Sequence, residues 1–214
     1  MPAEILRINS EKPEPGLISY VAEQIRNGNA LGMPTDTFYG LAADPFNLRA
    51  VDHIYDVKSR SRHKPLSLLI ESVDQAEELT RPPSEEFYKL ARKFWPGPLT
   101  LIVRAASRLP LKVTANTGNV AIRVPAANIP IAVIKASGLP LTATSANVSG
   151  ASECTTASGV REQLGKLIPV IVDGGPSPRS VPSTIVDLTD PDGWRVMREG
   201  AISTQEITEA IAQG

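Results

Sequence analysis

"LTLIVRAASRLPLKVTANTGNVAIRV", Leu99 to Val124, decides the architecture. Two apolar, β-rich runs, "LTLIV" and "VAIRV", stand on either side of Arg104–Asn119. Neighbouring parallel strands need a crossover, usually a helix, and this intervening segment shows no clear helical periodicity. A mixed sheet is therefore expected rather than a purely parallel one.

Outward from this stretch, strand and helix signals alternate, which predicts an α/β fold. Ile5 to Ile8 reads as a first strand. Ile18, Val21, Ala22 and Ile25 recur at helical spacing, and Gly28 stands where that helix would stop. "ALGMPTDTFYGLAAD" (30–44) reads as a strand broken at Pro34, a polar turn and a second apolar piece. Val51, Ile54 and Tyr55 predict a helix ending near Lys58, and "PLSLLI" a buried strand. Ser84 opens a helix with Phe87, Leu90, Ala91 and Phe94 on its apolar face, stopped by Pro96. "LTATS", "PVIV" and "TIVDL" are further short strands, with helices at 129–137 and 156–165 between them. Ser203 and Glu206 have the spacing of a capping box for a helix over 204–212. "DGGPSPRSVPS" (173–183) reads as a long functional or mobile loop.

The 214 residues are enough for one domain with a sizeable core, and no linker or repeat interrupts them. The single cysteine, Cys154, precludes an internal disulfide and fits a reducing, cytoplasmic setting. No apolar stretch reaches membrane-spanning length, and the N-terminus lacks a secretory pattern. A formal net charge of -1 argues against wholesale coating of nucleic acid but leaves room for one local basic site. His53, His63 and Cys154 lack zinc spacing, and no G-x-S-x-G turn supports a serine triad. Neither standard glycine-rich nucleotide loop is present. If the chain is an enzyme, positioning and fixed charge are expected to carry its catalysis.

Four segments carry possible chemistry. In "VKSRSRHKPLSLLI" (57–70), Lys58, Arg60, Arg62 and Lys64 alternate. In an extended chain they would share one side and form a rail for a polyanion; otherwise they are a solvated basic loop. "TSANVSG" (144–150) places Ser145 and Asn147 at a strand end, where small polar groups bind phosphate or simply close a turn. Thr35, Asp36 and Thr37 either read a small polar substrate or cap a turn. Arg123, in an apolar strand, needs a partner: Asp187 or a substrate carboxylate.

Taken together, the segments resemble the threonylcarbamoyl-adenylate synthase family (Sua5/YrdC). The likeness runs over about residues 14–201. It is carried in order by "PTDTFYGL", "KSR" with "KPL", "FWPGPLT", "VAIRVP", "TSANVSG", "DGG", "PSTIVD" and "REG". The intact pairs Lys58/Arg60 and Ser145/Asn147 favour the synthase branch over YciO-type paralogues. The resemblance implies a YrdC-like twisted mixed open sheet with flanking helices around a large positively charged cavity. It also implies the short, single-domain form over residues 1–214, without the C-terminal Sua5 domain.

The implied activity is that of a nucleotidyltransferase, an L-threonylcarbamoyladenylate synthase. L-threonine, bicarbonate or CO2, and ATP would give threonylcarbamoyl-AMP and pyrophosphate for N6-threonylcarbamoylation of adenosine 37 in tRNA. Mg2+ would enter with ATP, held mainly through its phosphates, with no protein metal site. The expected ATP contacts are Lys58, Arg60, Arg62, Asn119, Ser145, Asn147 and Arg198, of which Lys58, Arg60, Ser145 and Asn147 are the expected catalytic set. Threonine is expected at Thr35, Ser67, Arg123 and Ser183. Expected partners are the downstream tRNA threonylcarbamoyl-transfer complex and no membrane; the alternative function is a double-stranded RNA or tRNA-binding module using the same cavity. The chain departs from the family at Ser61, where Pro is usual, and at Glu153, where a small hydroxyl residue is usual. An acid beside ATP phosphates would be unfavourable.

Overall fold

The computed structural model describes residues 2–190 and 193–213. In chain order its strands are β1 Glu4–Arg7, β2 Leu31–Met33, β3 Gly40–Ala42, β4 Ser67–Leu69, β5 Leu99–Arg104, β6 Asn119–Arg123, β7 Leu141–Thr142, β8 Thr144–Ser145, β9 Val170–Asp173, β10 Thr184–Asp187 and β11 Arg195–Arg198. The helices are α1 Pro15–Arg26, α2 Leu48–Lys58, α3 Val73–Leu79, α4 Glu85–Phe94, α5 Leu111–Thr114, α6 Asn128–Ser137, α7 Ala157–Leu164 and α8 Thr204–Ala212.

The fold is mixed α/β, and its strands are divided between two sheets. One runs β1-β9-β2-β3-β8 and the other β11-β10-β5-β6-β4-β7. β5 and β6 pair antiparallel, as the missing crossover between them requires, while β4 runs parallel to β6 and β10 parallel to β5. The connection Arg104–Asn119 does contain one helical turn, α5, too short to show periodicity in sequence. "LTATS", expected as one strand, serves both sheets: β7 pairs with β4 and β8 with β3. Only Ala143 separates them, and its N–H donates to the Ser67 carbonyl (2.8 Å), while that of Thr142 donates to Ala43 (2.9 Å).

Strand alternation distributes the core. Leu31, Met33, Val170 and Val172 pack with Ile18, Val21 and Ile25 of α1 and Val133 and Ile134 of α6. Ile171, on the opposite face, joins Val51 and Ile54 of α2 and Val160 of α7. Gly32 lies in that second layer, where a Cβ would come within 3.1 Å of Val160 and 3.2 Å of Ile171. The predicted capping box closes: Ser203 Oγ accepts from Glu206 N at 3.2 Å, and Glu206 Oε2 accepts from Ser203 N at 2.9 Å. The helix Val73–Leu79 is absent from the sequence reading, because only Ala76 and Leu79 of it are buried.

Candidate active site

The strand ends of the two sheets converge on a cavity of about 230 Å3. The six-stranded sheet brings Arg198, Ile185 and Thr100 into one row, since Ile185 pairs with both neighbours. Leu69 pairs with Arg123 in the same sheet. The five-stranded sheet contributes Ser145 from β8 and the turn Thr35–Phe38 between β2 and β3. Of the residues expected at the site, Thr35, Arg60, Ser67, Arg123, Ser145, Ser183 and Arg198 line this cavity, as does Glu153.

Arg123 is the most buried of its three guanidiniums, with 6% of the residue exposed. Its Nε donates to the Gly97 carbonyl at 2.9 Å and its Nη1 to Thr37 Oγ1 at 3.0 Å. Its Nη2 donates to Asp36 Oδ1 in a buried ion pair. The partner is thus Asp36 and not Asp187, whose Oδ1 accepts from the backbone and hydroxyl of Thr189 (2.8 and 2.7 Å). A guanidinium has five N–H donors, so two remain on Arg123 beyond these bonds. Thr35 fixes the facing turn: its Oγ1 accepts from Thr37 N at 3.1 Å and donates to the Phe38 carbonyl at 2.7 Å.

Arg198 donates to the Ser183 carbonyl from Nη2 (2.9 Å) and Nε (3.2 Å). Ser183 Oγ also lies 2.9 Å from Thr100 Oγ1. Thr100 is a wall residue to which the sequence reading gave no role, although it closes the motif "FWPGPLT" and sets a hydroxyl inside the apolar run "LTLIV". Burial lowers the pKa values of Arg60, Arg123 and Arg198, yet a guanidinium remains charged near neutrality. The lining therefore sets three guanidiniums against one carboxylate, Glu153.

The basic rail does not form. Lys58 ends α2, and Ser59 takes a left-handed conformation (φ 49°) that stops the helix. Arg60 turns toward the cavity and is held by the Pro65 carbonyl at 2.9 Å. Arg62 turns away, pairing with Asp52 (2.5 Å) and Asp56 (2.8 Å), with its guanidinium 5.6 Å from the Tyr55 ring centre. Arg62, an expected ATP contact, is therefore not among the residues lining the cavity, and its charge is met by Asp52 and Asp56. Asn119 is also outside the cavity lining. It begins β6, at the end opposite Arg123, and its amide donates to Thr189 Oγ1 at 3.3 Å.

Lys58 and Asn147 stand behind the wall rather than on it. Lys58 is 2% exposed, and its Nζ donates to the Ser145 carbonyl, the Asn147 carbonyl (2.7 Å) and Asn147 Oδ1 (3.2 Å). Those three bonds match its three donors. Asn147 Nδ2 in turn donates to the Ala151 carbonyl at 2.7 Å. Burial, then the charge of Arg60, pushes the Lys58 pKa down to about 8, against smaller opposing effects of Glu153 and Cys154. This pair shapes the turn that presents Ser145, a role invisible in residue spacing.

The residues lining this cavity all fall within a span of the chain that matches a known family. Residues 23–200 match the Sua5/YciO/YrdC family, described as "Telomere recombination". The chain belongs to the Sua5/YciO/YrdC family. Within it, the chain is 37% identical over 205 residues to the threonylcarbamoyl-AMP synthase of Pyrococcus abyssi, covering 95% of this chain and 59% of that protein. It is 40% identical over 195 residues to the Bacillus subtilis threonylcarbamoyl-AMP synthase, covering 91% of this chain and 56% of that one. The chain thus spans somewhat over half the length of these curated relatives. The fold superposes on the crystal structure of P. abyssi Sua5 complexed with L-threonine at a TM-score of 0.94 and 36% identity, covering 98% of this chain and 61% of that one.

Proposed function

We propose that this chain is an L-threonylcarbamoyladenylate synthase. The observation that carries the reading is Arg123: a buried guanidinium with two unengaged N–H groups, set among hydroxyls and beside two more arginines at one strand-end cavity. A carboxylate bound by Arg123 and hydroxyls around it suit threonine, which the related P. abyssi protein binds. Thr35, Ser67 and Ser183 contact the amino acid, while Arg60, Arg198 and Ser145 take the phosphates.

The amine nitrogen of threonine attacks the carbon of CO2, formed from bicarbonate by loss of water. The nitrogen gives up a proton, leaving a carbamate. A carbamate oxygen then attacks the α-phosphorus of ATP, and the bond from that phosphorus to the pyrophosphate oxygen breaks. Arginine charge balances the leaving group and holds the reacting anions together. Among the described residues no group of three or more His, Cys, Asp or Glu could hold a metal ion, and Glu153 is the single carboxylate in the lining. A magnesium ion would enter with the triphosphate, held mainly through its phosphate oxygens, and would supply charge neutralisation there.

The product's mixed anhydride suits transfer to adenosine 37 of tRNA by a downstream complex, in a cytoplasmic setting. An RNA-binding reading is less well supported, because the three guanidiniums line a cavity of about 230 Å3 rather than an exposed track for a duplex. The test is pyrophosphate release by the purified protein with ATP and magnesium. Release should require both L-threonine and bicarbonate; release indifferent to either, or none, overturns the reading.

A further inference from the structure

We propose, taking the amino-acid site as read above, that Thr100 is a specificity-determining residue: with Ser183 it forms a hydroxyl pair that reads the side-chain hydroxyl of the substrate amino acid. Thr100 stands in a row of side chains that crosses the six-stranded sheet on the cavity face. Leu101 pairs with Ile122, which sets Thr100 beside Arg123 on the antiparallel strands β5 and β6. Leu69 flanks Arg123, and Ile185 and then Arg198 follow Thr100 on the other side. All of these residues line the cavity. Cross-strand neighbours stand about 5 Å apart at Cβ. A carboxylate held by Arg123 therefore leaves the next carbons of the amino acid over Thr100. In threonine the hydroxyl is carried by Cβ, the carbon beside Cα, and Ile185 offers apolar surface to the methyl group on the same carbon.

The hydrogen-bond count of the pair says what it can take. Thr100 and Ser183 are 4% and 7% exposed, and their hydroxyl oxygens are 2.9 Å apart. Each hydroxyl has one proton to donate and two lone pairs to accept with. The bond between them uses one proton and one lone pair. Arg198 Nη2 donates to Ser183 Oγ at 3.3 Å and occupies a second lone pair. No other hydrogen bond among the described residues engages either oxygen. Whichever hydroxyl donates to the other, one proton and two lone pairs remain for a ligand. A phosphate oxygen only accepts, and would turn its negative charge toward those lone pairs. A ligand hydroxyl both donates and accepts, so it satisfies both sides of the pair. Valine, with a methyl in that place, leaves the buried proton without a partner. That is the situation in which a polar site rejects an analogue most strongly.

The test begins with calorimetry of the purified protein against L-threonine and L-valine. Threonine should bind at least about a hundredfold tighter. Equal binding of the two overturns the proposal and leaves the synthase chemistry standing; binding of neither overturns the synthase reading and the proposal with it. Thr100→Val then keeps the shape of the side chain and removes its hydroxyl. In pyrophosphate release it should raise the KM for threonine at least about tenfold, the loss of a buried hydrogen bond, and leave the KM for ATP within about twofold. It should also narrow the preference for threonine over valine to about tenfold or less. Thr100→Ser, which returns the hydroxyl, should restore the preference of the parent. A Thr100 that only supported β5 would change the melting temperature and leave the preference unmoved. That result in a folded Thr100→Val protein, or a rise in KM confined to ATP, overturns the proposal.

Discussion

Lys58 and Asn147, 89 residues apart in the chain, are joined by two hydrogen bonds from one ammonium, and the same ammonium binds the Ser145 carbonyl. The last side chain of α2 therefore sets the backbone path of the turn that carries Ser145 into the cavity. Lys58→Ala leaves these buried oxygens without a donor, and loss of about 1–3 kcal/mol of stability is expected in urea unfolding. Lys58→Arg should not restore it, since a planar guanidinium cannot replace a compact three-donor ammonium. A Lys58→Ala protein as stable as the parent would remove Lys58 from this structural role.

The Lys58 ammonium is expected to titrate near pH 8. A free lysine titrates near ~10.4, so between these values the folded chain holds fewer protons than the unfolded one. This group by itself therefore makes stability rise with pH across that window. Activity should move the other way: above pH 8 the ammonium loses one of three donors, the 145–147 turn loosens, and pyrophosphate release declines. NMR of the lysine Nζ checks the midpoint directly; a Lys58 midpoint at the ordinary lysine value would refute it.

Arg60 and Arg62 are two residues apart but should behave differently. Arg60 lines the cavity, so Arg60→Ala should raise the KM for ATP by about tenfold or more, the loss of one charge-assisted bond. Arg62 is paired on the outer face of α2, so Arg62→Ala should alter turnover less than about twofold and cost under about 1 kcal/mol. Steady-state kinetics on the two variants side by side decide the matter, and equal losses would restore the basic rail.

Glu153 opposes an incoming triphosphate from inside the lining. Its replacement by serine removes a like charge, and KM for ATP should fall by about threefold to tenfold, the effect of roughly 1 kcal/mol. An increase in KM would instead mean that Glu153 holds a cation of the nucleotide complex.

Much of this architecture is legible from periodicity. Ile18, Val21, Ala22 and Ile25 are the buried residues of α1, as their spacing requires, and the segment between β5 and β6 correctly signals a mixed sheet. Short elements escape, because α3 and α5 bury two residues each. Sheet membership escapes too: alternation says that "LTATS" is extended but not that its halves pair with different partners. At the site, residue type sufficed for Arg123, which had to be paired or bound. Its partner could not be read, since Asp36 is 87 residues away and nothing local distinguishes it from Asp187. The place of Arg62 outside the lining could not be read, because alternation assumes an extended chain and Ser59 bends it.

The splice at Ala143 has an evolutionary consequence. The two sheets that wall the cavity are joined through main-chain hydrogen bonds of Thr142 and Ala143, to Ala43 and Ser67. Those bonds are indifferent to side-chain identity. The spacing of the walls is accordingly insulated from changes in what lines them. A lineage could exchange Thr35, Ser67, Glu153 or Ser183 and try new carboxylic acids between the same two plates, rebuilding selectivity without rebuilding the vessel.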